Sequence, residues 1–379
     1  MGAFILNVVL LLSVEVIVIG GVVLIKYSNV IHKRTLIIIA LALSIITMCV
    51  NPTKYWDLYR QYAALNEIKN SGIDFIDLLF NNKLRIGGTD YVQLFFYNII
   101  RYLVVILKNN RMLPFIMTFI TYGIWCYITI DWNKEHYMSG NDIVISMMLC
   151  NVFMPFIFVN SGLRNTTAAA ILALAIYNNM IKKHSFIEFV ILFFFAFTVH
   201  FSVIYVVIIY LLSKMRHTKL AVVLLFFGTN IIPYIAGTFR NSKYEILSKM
   251  SSSFAIYTEK RSSGINYYLI GAYIVLIGIM ISLLIEKKNN IENSKEIVAV
   301  QSFLIMMVIS SVFNLGYLEM ILRPLYVLGV LSTPVLYSVC GNDKRINTWR
   351  QLVMVLSIVC GLIFVLRISL PEYMMITYC

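Results

Sequence analysis

Long apolar runs joined by short polar connections make up this chain from one end to the other. Leu6–Ile25, Leu36–Val50, Ile143–Val159 and Tyr267–Ile285 are each long enough, or nearly so, to cross the hydrocarbon core of a bilayer. Further runs lie near 112–130, 164–181, 185–199, 201–213, 220–237, 297–313, 321–340 and 351–370. The pattern predicts an all-α, polytopic transmembrane helix bundle of about 12 spans, a single integral-membrane domain over 1–379. The first run carries Glu15 and is span-length, so it reads as a retained span and not as a cleaved signal peptide.

Two stretches break the simple alternation. Over 91–107, with Asp90 just ahead, the polar residues Asp90, Gln93, Tyr97 and Arg101 recur at helical spacing, while Leu94, Phe95 and Ile99 lie elsewhere on the wheel. This predicts an amphipathic juxtamembrane helix, interfacial or re-entrant at the outer surface; the alternative is a thirteenth span that everts everything upstream. The pair 185–199 and 201–213 is one apolar stretch between two basic clusters, each half short for a crossing. The chain is therefore expected to turn near His200, at the outer side.

Composition agrees with the pattern. Hydrophobic residues are 60% and charged residues only 13%, against roughly a quarter charged in a soluble domain, and the mean hydropathy is +0.82. The formal charge of +13 is no sign of a nucleic-acid partner, because it sits in short inter-span clusters. Lys26/Lys33/Arg34, Lys182/Lys183, Lys214/Arg216/Lys219, Lys287/Lys288 and Lys344/Arg345/Arg350 are what the positive-inside bias leaves on the cytoplasmic side. Anchoring them there puts the large loops 51–90 and 238–264 outside. The six cysteines are scattered without a CxxC pair and suggest neither a metal site nor a disulfide framework.

Ionisable groups at span ends are the candidates for chemistry. Arg164 stands in NSGLRNTTAAA (160–170), at the start of an Ala-rich helix whose N-terminus adds to its attraction for anions; otherwise it snorkels to lipid headgroups. His200 lies in TVHFS (198–202), where a buried structural role is the alternative. Arg323 in ILRPLY (321–326) opens a span with Pro324 in its first turn, and Glu319 four residues earlier offers it a local ion pair. Asp57 in NPTKYWDLYRQY (51–62) is interleaved with Tyr55, Tyr59, Arg60 and Tyr62, an interfacial aromatic belt or a sugar ledge beside a carboxylate. Asp90 in GGTDY (87–91) is a second outer carboxylate. Neither DxD, HExxH, a Gly-rich phosphate loop nor a cluster of metal ligands is present, so phosphate chemistry here would fall to arginines.

WDLYRQY (56–62), SGLRNTTAAAILALAIY (161–177), IKKHSF (181–186), TVHFS (198–202) and LRPLY (322–326), in this order, resemble the EpsG-like branch of the Wzy-type polysaccharide polymerases of bacterial inner membranes. That family usually carries Gly just ahead of its Asp; here Tyr55-Trp56 precede Asp57, and GGTDY (87–91) matches the pattern better but late in the loop. Both aspartates therefore stay open. The resemblance implies a GT-C-like, metal-independent glycosyltransferase without cofactor, in the inner membrane, with its site facing the periplasm or exterior. It would use undecaprenyl-diphosphate-linked oligosaccharide as donor and acceptor, among membrane lipids and with a chain-length regulator protein as a further partner. The expected roles are Asp57, Asp90 or His200 in proton transfer, Arg164, Arg323 and Arg101 on the pyrophosphate, and Tyr59, Arg60 and Tyr62 on sugar. A transporter or flippase of lipid-linked oligosaccharide and an O-antigen ligase are the rival readings; the unequal, unrepeated outer loops argue against the transporter.

Overall fold

The structure, a computed structural model, describes residues 33–52, 57–80, 85–86, 89–90, 94–136, 138, 140–238, 278, 295–314, 318–340 and 377–378. The expected spans over Leu6–Ile25, Tyr267–Ile285 (Gly278 apart) and 351–370, and the loop 238–264 beyond Thr238, lie outside them. The described residues form fourteen α-helices: α1 (Lys33–Met48), α2 (Asp57–Ser71), α3 (Phe75–Phe80), α4 (Phe95–Ile106), α5 (Met112–His136), α6 (Gly140–Phe153), α7 (Phe156–Ser161), α8 (Leu163–Met180), α9 (Phe186–Val199), α10 (Val203–Ser213), α11 (Thr218–Thr238), α12 (Lys295–Phe313), α13 (Leu318–Val330) and α14 (Ser332–Cys340). Two antiparallel pairs of two-residue strands join Val50–Asn51 to Thr377–Tyr378 and Arg85–Ile86 to Thr89–Asp90. Among the described residues the fold is otherwise all-helical.

Two described helices, α5 and α12, are long and apolar enough to cross a membrane, and α13 with α14 makes a third if that bent pair is one span. Shorter apolar helices at Arg34–Met48, Phe95–Ile106, Asp142–Phe153, Phe186–Val199, Val203–Ser213 and Thr218–Gly228 surround them. Their outward faces are hydrophobic. Ile37, Ile38, Leu41 and Ile45 on α1, Phe186, Ile187, Val190, Ile191 and Phe194 on α9, and Leu220, Val223, Leu224, Phe226 and Phe227 on α11 are all exposed. No water-facing surface tolerates apolar stripes of that extent; lipid is their solvent. The protein is membrane-embedded.

α8 is the axis of the bundle. Its Ala-rich faces (Ala168, Ala169, Ala170, Ala173, Ala175) are buried all round, and small side chains let neighbouring backbones come close. α5, α7, α9 and α13 pack directly on it. Ser185 caps α9 by accepting the Glu188 backbone N–H at 3.2 Å, so the S-x-x-E sequence sets the point where the chain re-enters the bundle. On the far side of α13, Gly329 faces α6 so closely that an added Cβ would stand 3.0 Å from the Met154 Cβ and 3.2 Å from the Cys150 carbonyl oxygen.

Two expected elements are reshaped. The run 143–159 is not one helix: α6 ends at Phe153 and α7 begins at Phe156, because Pro155 between them cannot continue the helix. The run 321–340 bends by 82° between α13 and α14. Pro324 lies inside α13 and not in its first turn, since that helix already starts at Leu318. The bend falls at Leu331, where Ser332 and Thr333 are held by side chains from other helices. Trp125 donates to the Ser332 hydroxyl at 2.9 Å, Ser146 bridges Ser332 and Thr333 at 3.0 and 2.6 Å, and Thr129 reaches Thr333 at 2.8 Å. The amphipathic 91–107 segment forms α4 over Phe95–Ile106. Its polar residues Tyr97, Asn98 and Arg101 are buried, while Leu103, Ile106 and Leu107 are exposed. The polar stripe turns into the protein and the apolar side turns out, the reverse of a helix lying between protein and water.

Candidate active site at the Arg164 end of α8

α2 carries a buried stripe of Leu58, Gln61, Ala64, Leu65 and Ile68 at three- and four-residue spacing, and this face lies on α4. The helix is stopped at Gly72, whose φ of +65° is the left-handed conformation that closes a helix end. Asp74 then starts α3 by accepting the Asp77 backbone N–H at 2.7 Å. α2 is thereby fixed with its first residue, Asp57, against the first turn of α8.

There Arg164 grips Asp57 with both prongs of its guanidinium. Nε donates to Oδ2 and Nη2 to Oδ1, each at 3.2 Å. Arg60 approaches the same carboxylate at 3.4 Å from the more exposed side, and Gln61 Nε2 donates to Oδ1 at 3.2 Å. Burial by itself would push the Asp57 carboxyl up. The Arg164 charge and hydrogen bonds outweigh it, with Arg60 and Gln61 adding to them, and the group stays below its ordinary value of 3.8.

Gln61 extends the cluster inward. Its carbonyl oxygen accepts from the Tyr97 hydroxyl at 2.7 Å and from Arg101 Nη2 at 2.9 Å. Two donors on the carbonyl fix the amide's orientation, so its NH2 group must face Asp57. Arg101 is wholly buried. Its guanidinium lies 4.9 Å from the centre of the Tyr97 ring, and that of Arg164 lies 5.7 Å from the same ring.

His200 occupies the break between α9 and α10, where the chain is extended (φ −157°, ψ 123°). α8 and α9 run side by side joined by the short 181–185 connection, which returns His200 to the end of α8 where Arg164 lies. Arg323, buried on α13, and Arg164 are the charges that act on its ring. The Ser202 backbone N–H points at Nδ1 at 3.2 Å, and the Ser202 hydroxyl lies 2.7 Å from the same atom. A backbone N–H can only donate, so Nδ1 carries a lone pair and the proton is on Nε2. His200 is held here as a neutral ring that offers an N–H.

The structure thus brings together Asp57, Arg60, Arg164 and Arg101, with His200 and Arg323 in electrostatic contact with Arg164's surroundings. Tyr59 is exposed on α2, and Tyr62 is half-buried against the core. Asp90 pairs through its backbone with Arg85, but its side chain lies outside the described residues, as does that of Glu319 beside Arg323. Gln61 was missed by sequence reasoning. The signal was there: a glutamine on the otherwise apolar stripe Leu58–Leu65–Ile68, four residues after Asp57.

The model of the EpsG family matches residues 35–378. The chain belongs to the EpsG family. This is a family of Wzy-like polymerases, and membership makes the chain a membrane protein of polysaccharide biosynthesis with a polymerase-type function. No curated protein and no solved structure matches it.

Proposed function

We propose that this EpsG-family protein is a polysaccharide repeat-unit polymerase that transfers a growing glycan from its undecaprenyl diphosphate onto a hydroxyl of an incoming lipid-linked repeat unit. The reaction is placed at the outer face of the bacterial inner membrane, at the Arg164 end of α8. The observation that carries the reading is the two-pronged Arg164–Asp57 pair, backed by Arg101 through Gln61. It sets a guanidinium fork and a carboxylate side by side in a family of polymerases.

The chemistry divides accordingly. The bond between the sugar C1 and the diphosphate oxygen breaks, a new bond forms between C1 and the acceptor oxygen, and the acceptor's proton must leave. Charge builds on the departing diphosphate. Arg164 and Arg323 meet it with charge-assisted hydrogen bonds, the strongest stabilisation open to such residues, and the buried Arg101 adds its charge from behind Gln61. The proton goes to a carboxylate, and Asp57 is the described one hydrogen-bonded to Arg164. His200 serves better as a donor to a phosphate or sugar oxygen than as the base, because its Nδ1 lone pair already accepts from Ser202. Tyr59 and Arg60 face outward on α2, where a sugar ring would lie.

Purified protein in nanodiscs, given the undecaprenyl-diphosphate-linked repeat unit alone, should produce a ladder of lengthening lipid-linked chains. Transfer only to an acceptor of another kind would mark a ligase. Movement of the unit across the bilayer with no ladder would mark a flippase and overturn the proposal.

A further inference from the structure

Asp57 meets Arg164 through two parallel hydrogen bonds of 3.2 Å. That is the geometry in which a guanidinium also takes two oxygens of a phosphate. One fork cannot hold a carboxylate and a phosphate in the same two positions. A diphosphate that uses Arg164 must therefore remove Asp57 from it. The carboxylate is a movable occupant, because it sits at the first residue of α2, a polar helix with Arg60, Asn66, Glu67 and Lys69 along it. What retains the start of this helix near the bundle is Leu58 beneath it and the Gln61 amide, hydrogen-bonded to both Tyr97 and Arg101 of α4. Gln61 holds α2 to α4 independently of Arg164, so breaking the Asp57–Arg164 pair leaves Asp57 tethered within one helical turn of the site.

We propose that Asp57 is a resident counter-ion for Arg164, displaced by the diphosphate of the lipid-linked substrate, and that Gln61 is the positioning residue that keeps the released carboxylate beside the reacting hydroxyl. The inference rests on the polymerase reading and adds an order of events to it. The arginine fork is closed by Asp57 when empty. Diphosphate arrival opens it, and the same exchange frees the carboxylate from the Arg164 fork, the largest of the influences that suppress its basicity. Substrate binding and activation of the base are then one step, and the carboxylate is held away from chemistry until a diphosphate is in place.

The exchange has a cost that binding must reveal. A site closed by its own counter-ion binds more weakly by the fraction of time it is open. The full-length protein in nanodiscs of zwitterionic phosphatidylcholine is titrated with inorganic pyrophosphate. Asp57→Asn and Asp57→Ser should bind pyrophosphate about tenfold tighter than the native protein if the pair is closed some nine-tenths of the time, while making little polymer. Gln61→Leu should bind it at least as tightly as native yet show a lowered kcat; a merely structural glutamine would instead weaken binding and turnover together. Thermal unfolding of each variant verifies that it is folded. Unchanged or weaker binding in both Asp57 variants, with native binding intact and lost in Arg164→Lys, overturns the counter-ion proposal and leaves the polymerase reading standing. No binding of pyrophosphate by any form overturns both. Replacing part of the phosphatidylcholine with phosphatidylglycerol distinguishes the diphosphate from a lipid headgroup: pyrophosphate binding should persist, and its loss would assign Arg164 to headgroups and sink the proposal.

Discussion

The two ends of α8 carry charge in opposite ways. At the Arg164 end, guanidinium groups share one carboxylate and one amide, and the contacts link helices through forked or bridging groups. At the other end, about 27 Å away for 18 residues, lysines are matched by acids. Lys182 lies 2.7 Å from Asp131 and 2.6 Å from Glu135, Lys134 lies 3.0 Å from Asp131, Lys183 lies 2.6 Å from Glu296, and the Tyr177 hydroxyl donates to Asp131 at 2.9 Å. The difference follows from the side chains. A lysine is a point charge that several carboxylates can surround, whereas an arginine offers a planar fork suited to one two-oxygen partner. The lysine end is built to stay as it is. The arginine end presents a fork whose geometry suits any two-oxygen anion.

The largest expected effect lies in replacing the fork by a point charge. Arg164→Lys keeps the charge and should lower polymer formation by two to three decades, about 2–4 kcal/mol of transition-state stabilisation. Lys182→Arg at the opposite end should leave the chain-length distribution close to native. Both are read from lipid-linked glycan made by purified protein at matched thermal stability, and equal losses at the two ends would erase the contrast. Asp131→Asn should show the complementary behaviour. It removes the charge shared by Lys134 and Lys182, leaving Lys182 with Glu135, and should cost about 1–2 kcal/mol of stability, seen as earlier thermal unfolding, with turnover per folded molecule unchanged.

A smaller effect is set by protons. The Asp57 carboxyl lies below its ordinary value of 3.8 in the folded protein. Its pairing therefore contributes fully above that value and is lost as pH falls through the lower folded one. The difference in thermal midpoint between native protein and Asp57→Asn should stay constant from neutral pH down to about 3.8 and close below it. A gap that closes nearer neutrality would mean a weaker pair than the geometry implies. Smallest of all is Lys183→Ala, whose side chain is 68% exposed in its pair with Glu296; exposed pairs contribute about 0–1 kcal/mol, and unfolding should scarcely move.

Much of this was legible in the sequence. The 3.6-residue and all-apolar patterns marked the helices, and the break at His200 followed from two halves too short to cross separately between basic clusters. The Arg164 helix start was readable from NSGLRNTTAAA. The pairing of Asp57 with Arg164 was not, because the two are 107 residues apart and nothing local joins them. Nor was the partnering of Lys182: a basic loop signals topology by composition, while its acids come from α5 and α12 by tertiary packing. Pro155 was a readable helix stop inside 143–159 that the apolar pattern overrode, whereas the 82° bend at Leu331 has no such local mark. That bend depends on hydroxyls of α5 and α6 meeting Ser332 and Thr333, which no single segment encodes.

The inward stripe of α4 bears on how the molecule is made. A lone helix presenting Arg101 to lipid would be expensive to insert, so α4 is poorly suited to enter the bilayer by itself. Its amide partner Gln61 is synthesised 40 residues earlier, and α2 emerges from the ribosome before α4 does. The two can pair through the Arg101 Nη2–Gln61 hydrogen bond, with Leu103, Ile106 and Leu107 left to face the acyl chains. Order of synthesis puts α2 at hand before Arg101 is made, so the cation has a partner waiting when its own helix emerges.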